Sequence, residues 1–279
     1  MHDVRSKTLI AAGELARLLD DKTPVILLDV LDEAGAAPDD RPKLPGALSV
    51  SLATDFSAKP TPAAGRRPLP EIAELQIKAR AWGIRSDSLV VAYDNASGAQ
   101  AARAWWTLRW AGLTNVRLLD GGYGAWIAAG RPASNHHVTR AAAAGDVVLT
   151  AGHMPTIEAD EAAALAKQSK LLDARPRAAY VGDPAKPGTG HIPGAIHAPA
   201  GDNIADGKFR SNDDLHARLC SLGADGSGNI AVYCGSGNAA AHAVAAMSAA
   251  GLKPALYVGS WSAWSADPSS PVATGTEPG

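Results

Sequence analysis

Cysteine is scarce in this chain: Cys220 and Cys234 are the only two among 279 residues. Two thiols are too few for a cysteine-rich zinc site, and they fit a reducing cytosol better than a disulfide scaffold. A disulfide between them is therefore not expected. Neither sign of charge dominates, the formal net charge being −2, which argues against a nucleic-acid or anionic-membrane binder held by bulk charge. Long apolar runs are missing as well. No window approaches roughly 18 apolar residues free of charge, so no membrane span is expected. The opening MHDVRSKT is polar with no apolar stretch behind it, and it does not read as a secretory signal. A cytoplasmic location fits these absences.

What is present is ordinary globular composition, 46% hydrophobic and 19% charged, in a chain long enough for two domains at roughly 150 residues each. One stretch organises the rest. Residues 230–233 (IAVY) read as a short buried strand, and residues 239–250, nearly all Ala with Val and Met, read as a helix that Gly251 stops. Between them lie Cys234 and then Gly235-Ser236-Gly237-Asn238. A thiol at a strand end, facing a helix start, meets unpaired backbone N–H groups and the positive end of the helix dipole, a setting that favours the thiolate. The glycines let the loop curl so that several N–H groups converge on one anionic atom.

Four landmarks occur twice, in the same order. Asp29, Leu44-Pro45-Gly46-Ala47, Asp94 and Gly124-Ala125-Trp126 in the first half answer to Asp173, Ile192-Pro193-Gly194-Ala195, Cys234 and Ser262-Ala263-Trp264 in the second. This is the pattern of a duplicated domain. Each half alternates apolar strands (25–29, 89–93, 116–119; 171–173, 230–233, 255–258) with helices (11–20, 71–82, 99–111; 158–168, 212–219, 239–250). The expected fold class is α/β: two tandem domains, each a mainly parallel sheet with helices on both faces. Ligands of such open sheets bind outside the carboxyl ends of the strands, where Cys234 falls. The expected divisions are an N-terminal domain over residues 1–135, a linker over 136–150 with a short strand at 147–150, and a catalytic domain over 151–279. The Pro- and Gly-rich residues 55–70 read as a long loop wrapping a domain. His136-His137 reads as a solvated linker pair, since a metal would need further ligands at suitable spacing.

On Asp173-Ala174-Arg175, Gly190-His191-Ile192-Pro193-Gly194-Ala195, the Cys234–Ala239 loop and Gly259-Ser260-Trp261-Ser262-Ala263-Trp264, the chain resembles the rhodanese family, in particular its two-domain sulfurtransferases. Tyr93-Asp94, Ala101-Ala102-Arg103-Ala104-Trp105-Trp106 and Leu119-Asp120-Gly121-Gly122 extend the resemblance through the first half. The resemblance implies a sulfurtransferase without metal or cofactor. Cys234 would carry sulfane sulfur as a persulfide between a small anionic donor, 3-mercaptopyruvate or thiosulfate, and cyanide, a thiol or a sulfur-acceptor protein. Gly235, Ser236, Gly237, Asn238 and Ala239 would cradle the persulfide. Asp94 replaces the cysteine in the first half, which is expected to be catalytically silent. The neutral Gly-Ser-Gly start of the loop is similar to the mercaptopyruvate enzymes, with Ser236 able to hydrogen-bond a keto acid.

Arg175 matches the motif arginine expected to bind the donor's anionic end. The family's second arginine, four residues on, is here Ala179, leaving Arg177, Lys186 or Arg210 as substitutes. The slot that carries a first-domain histidine in mercaptopyruvate enzymes reads Arg66-Arg67-Pro68-Leu69-Pro70, whose arginines are candidates for a carboxylate. A cysteine phosphatase would need an arginine six residues after the cysteine, where Ala240 stands. His242 is expected to pack or meet solvent rather than to act as a base, His191 and His197 to stabilise a turn or line the cleft, Cys220 to pack, and Trp105, Trp106 and Trp110 to lie in the core or at a domain interface. The alternative from another class is a non-catalytic rhodanese-like binding or regulatory module, against which the retained thiol argues.

Overall fold

The computed structural model describes residues 2–32, 42–136, 138–226 and 228–279, and His137 of the expected linker pair lies outside them. The chain forms two compact units, one of His2–Ala58 with Leu69–Met154 and the other of Lys59–Pro68 with Pro155–Gly279.

In the first unit the strands are β1 (Leu9–Ile10), β2 (Val25–Leu31), β3 (Leu48–Ser51), β4 (Leu89–Tyr93) and β5 (Val116–Leu119). They pair in parallel in the order β1-β5-β4-β2-β3. Val90, Val91, Ala92 and Tyr93 are all buried, so β4 is covered on both faces, as its unbroken β-branched and aromatic run implies. The helices are α1 (His2–Ser6), α2 (Ala12–Asp20), α3 (Leu52–Asp55), α4 (Ile72–Ala81), α5 (Ala99–Trp110) and α6 (Gly122–Ala128). Leu15 and Ala16 of α2 and Trp126 of α6 join Leu27, Val91, Tyr93 and Leu119 in one core cluster, and α5 packs along β2, β4 and β5.

The second unit repeats the plan. Its strands are β6 (Thr156–Ile157), β7 (Leu171–Asp173), β8 (Ile196–His197), the hairpin strands β9 (Ile204–Ala205) and β10 (Lys208–Phe209), β11 (Ala231–Tyr233) and β12 (Ala255–Tyr257). Apart from the hairpin they pair in parallel in the order β6-β12-β11-β7-β8, the same winding as the first sheet. The helices are α7 (Ala159–Ala166), α8 (Arg177–Val181), α9 (Asn212–Ser221), α10 (Asn238–Ala249) and α11 (Ser260–Trp264), with a 3-10 turn at Ala200–Asn203. Ser211 caps α9 by accepting from the Asp214 amide at 3.1 Å.

Single hydrogen bonds are duplicated too. The Tyr93 hydroxyl accepts the Leu44 N–H at 3.0 Å, and the Tyr233 hydroxyl accepts that of Ile192 at 3.1 Å. Trp126 Nε1 donates to the Pro132 carbonyl and Trp264 Nε1 to that of Pro271. The halves share placement of partners, not merely letters.

Two expectations need correction. Residues 147–150 form no strand: the Val147, Leu149 and Thr150 N–H groups donate to the Ile84 carbonyl, the Gln76 side chain on α4 and the Ala111 carbonyl rather than to a sheet edge. Val147 and Leu149 are buried, so the stretch expected to be a linker packs as part of the first unit. Lys59–Pro68, expected inside the N-terminal domain, belongs instead to the second unit.

Candidate active site

Cys234 directly follows β11 and is 3% exposed. Gly237, at φ +93°, then caps α10, a left-handed turn that an L side chain would strain. The turn brings the Gly237 N–H 3.1 Å from Cys234 Sγ. Asn238, Ala239 and Ala240 open the helix, where N–H groups lack intrahelical acceptors. On the other side the loop is held by α11. The Trp261 and Ser262 amides donate to the Cys234 and Gly235 carbonyls at 2.9 and 3.0 Å, and Ser260 Oγ accepts the Cys234 N–H at 3.3 Å while donating to the Tyr257 carbonyl. The loop's first two carbonyls are thus taken up by α11. Gly235, Ser236, Asn238 and Ala239 are half-buried and Gly237 is buried.

The equivalent place in the first unit displays what such a loop holds. Asp94 follows β4, is 2% exposed, and its carboxylate accepts the N–H groups of Ala96, Gly98 and Ala101 at 2.9, 2.9 and 3.0 Å. Gly98, at φ +81°, caps α5 as Gly237 caps α10. Three amides converging on one anion form a preorganised cradle.

The remaining expected site residues are dispersed. Arg175 is 6% exposed. Its guanidinium bonds both Asp173 carboxylate oxygens and the Gly190 carbonyl, and lies over the Trp261 ring at 4.5 Å and the Tyr233 ring at 5.5 Å. Through Nε and Nη2 it braces β7, the turn before Ile192 and α11 together. Arg177, at the start of α8, and Lys186 are exposed; Lys186 pairs with Asp183 at 3.6 Å. Neither bonds the Cys234–Ala239 segment among the described residues. Arg210 Nε donates to the Asp202 carbonyl. Arg67 is half-buried and already engaged.

His242, inside α10, stacks on Phe209 with ring centroids 4.6 Å apart, and neither ring nitrogen has a hydrogen-bond partner among the described residues. Burial lowers its pKa to about 4, so it is neutral near pH 7 and packs, as expected. His191 sits between the Tyr180 and Pro278 carbonyls at 2.8 and 3.2 Å and stacks on Tyr180, and His197 Nε2 meets the Arg175 carbonyl; both brace turns. Cys220 and Cys234 are both free thiols; Cys220, expected to pack, is instead exposed on α9, and Cys234 is buried. Among the described residues no group of three or more His, Cys, Asp or Glu side chains could hold a metal ion, and no helix is long and apolar enough to cross a membrane.

Sequence reasoning did not find the support that Ser260 and Ser262 give the loop. Ser260 takes φ +52°, and nothing in a Gly-Ser-Trp-Ser string announces that its hydroxyl meets the Cys234 amide.

Residues 11–129 and 158–267 each match the rhodanese-like domain family. The chain is 44% identical to a putative thiosulfate sulfurtransferase, SseB, of Mycobacterium tuberculosis, over 98% of this chain and 99% of that one. It is 41% identical to a probable 3-mercaptopyruvate sulfurtransferase of Pseudomonas aeruginosa, over 97% of this chain and 99% of the other. Among solved structures it superposes on YnjE with a TM-score of 0.83 at 26% identity, covering 96% of this chain and 68% of that one. The chain belongs to the rhodanese-like family, carries the family's domain twice, and is a rhodanese-type sulfurtransferase.

Proposed function

We propose that Cys234 carries sulfane sulfur as a persulfide, taken from a small anionic donor, 3-mercaptopyruvate or thiosulfate, and passed to cyanide or a thiol, including the thiol of an acceptor protein. The observation that carries the reading is Cys234 Sγ against the Gly237 N–H at the head of α10, in the place where the first unit holds a carboxylate on three amides.

The thiolate attacks the donor's transferable sulfur, forming a sulfur–sulfur bond. With thiosulfate the donor's own sulfur–sulfur bond breaks and sulfite leaves with the electron pair. With mercaptopyruvate the carbon–sulfur bond breaks, and the electron pair leaves as the enolate of pyruvate, which takes up a proton. Cyanide then attacks the outer sulfur, thiocyanate departs, and the Cys234 thiolate is restored. The persulfide's outer sulfur and the thiolate restored at the end are both anionic, and the N–H groups of residues 235 to 239 are available to stabilise them. Ser236 can donate to the keto oxygen of mercaptopyruvate. Asp94 offers no transferable sulfur, so the first unit is silent in this scheme. Thiol exchange suits a reducing compartment such as the cytoplasm, in keeping with two free cysteines.

The test is sulfur transfer to cyanide from each donor, on the wild type and Cys234→Ser, with intact mass after donor treatment. Turnover and one added sulfur atom on the wild type, both lost in the variant, are the expected result. No turnover and no added sulfur with either donor would leave the binding-module reading in its place.

A further inference from the structure

The loop that holds Cys234 contains no cation: Gly235, Ser236, Gly237, Asn238 and Ala239 are all neutral. A small anionic donor needs positive partners, and the arginine expected to supply one, Arg175, already gives its Nε and Nη2 to Asp173 and the Gly190 carbonyl. The second unit brings another to the loop. Its segment Lys59–Pro68 makes a tight turn in which Thr61 accepts from Ala64 and Gly65, through its hydroxyl and its carbonyl. Gly65, at φ +81°, lies so close to α11 that a Cβ there would come 2.6 Å from the Gly259 carbonyl oxygen and 2.7 Å from Ser262 Oγ. The next amide, that of Arg66, donates to Ser262 Oγ at 3.0 Å, and the Ser262 amide donates to the Gly235 carbonyl at 3.0 Å. Ser262 thus links the backbone of Arg66 to that of Gly235.

The arginine side chain follows. Arg66 Nη2 lies 3.2 Å from the point where a Gly235 side chain would begin, beside the residue that follows the nucleophile. Arg66 is exposed, and among the described residues its guanidinium makes no ion pair or hydrogen bond. Lys186 is paired with Asp183, Arg210 with the Asp202 carbonyl, and Arg67 has interactions of its own. An uncommitted guanidinium, placed by its backbone against the catalytic loop, presents a fork of donors that matches a carboxylate or a sulfonate.

We propose that Arg66 binds the anionic end of the sulfur donor and so substitutes for the arginine absent at Ala179. The proposal rests on the sulfur-transfer reading above for the identity of the ligand, but not for the presence of a positive charge beside Cys234. The shared chemistry is an oxyanion one small molecule's length from a transferable sulfur, and the two donors distinguish its sources.

The experiment uses the full chain carrying Cys220→Ser, which leaves Cys234 as the only thiol, with Arg66→Gln, Arg66→Lys and Arg67→Gln added singly. Arg66 anchors through its backbone N–H, so neither substitution at that position removes the anchor. Cys234 alkylation by anionic iodoacetate is compared with that by neutral iodoacetamide, and persulfide formation is followed against donor concentration. Arg66→Gln is expected to lower the iodoacetate-to-iodoacetamide rate ratio about tenfold and to raise the half-saturating donor concentration by a similar factor. Arg66→Lys should recover part of both. Discharge of a preformed persulfide by dithiothreitol, which carries no carboxylate or sulfonate for the guanidinium fork, should change far less, and Arg67→Gln should move neither quantity comparably. The donor that suffers the larger loss is the one whose oxyanion Arg66 meets. An unchanged alkylation ratio, or an unchanged donor dependence, overturns the assignment. No persulfide on the parent chain with either donor overturns the sulfur-transfer reading instead, and the alkylation ratio, which needs no transfer, still decides whether Arg66 places its charge at Cys234.

Discussion

At the scale of single residues, the motif Asp173-Ala174-Arg175 shows how far a string can be read. It is legible that an arginine follows a strand-end aspartate near the site; what that arginine faces is not. Its guanidinium closes through Nε and Nη2 on Asp173, which is 0% exposed, and on a carbonyl fifteen residues away, contacts that hold the unit together. Removing one partner of a buried ion pair leaves the other charge uncompensated, at a cost of about 3–5 kcal/mol. Arg175→Ala is therefore expected to lower the urea midpoint sharply, while any folded fraction keeps a donor KM near that of the wild type. A donor-binding arginine would give the reverse, a raised KM at unchanged stability. Equilibrium unfolding and donor kinetics on one preparation distinguish the two. Cys234 was the easier residue to read, because strand, glycine loop and Ala-rich helix are contiguous in sequence and the helix start is itself the source of the N–H groups.

Among the elements, those that carry a long pattern were legible and those defined by a partner were not. The Ala-rich α10 and the β-branched β4 are visible from sequence. The edge strands β1, β6 and β8 span two residues each, too short for any periodicity, and they exist because a neighbouring strand offers its ladder. Lys59–Pro68 was recognisable as a wrapping loop, but its attachment depends on Gly65 meeting Gly259, nearly two hundred residues away. Within α10, His242 carries a consequence for pH. Its folded pKa of about 4 lies below the ordinary 6.5 because burial penalises the imidazolium. Between those values the unfolded chain binds the proton and the folded one does not, so stability falls as pH drops from about 6.5 toward 4, by roughly 3 kcal/mol. His242→Leu removes this proton-linked loss along with two ring nitrogens that have no hydrogen-bond partner among the described residues. Denaturant unfolding of the variant should show a flatter dependence on pH over that window, with stability at pH 7 equal to the wild type's or slightly greater. An acid slope as steep as the wild type's would mean that other groups carry it.

Across the whole molecule, duplication organises the fold. Both sheets wind in the same order, and corresponding tyrosines and tryptophans reach corresponding backbone groups. What differs is the anion each loop is built around. In the first unit it is permanent and covalently part of the chain, the Asp94 carboxylate; in the second, on the reading proposed here, it comes and goes with each sulfur atom. The first loop is then a structural element whose anion cannot be removed without loss. Asp94→Ala leaves three amides at the head of α5 without their acceptor, each worth about 1 kcal/mol or more where burial keeps water from replacing it. A total loss of about 2–4 kcal/mol is expected on that basis. Because each unit has its own core cluster, the loss should be local. Amide hydrogen exchange should quicken in β4 and α5 while β11 and α10 keep their protection, and the Cys234 alkylation rate should hold. If protection falls equally in both halves, or if Cys234 reactivity changes with it, the two units are energetically one, and the first unit supports the chemistry as well as its own fold.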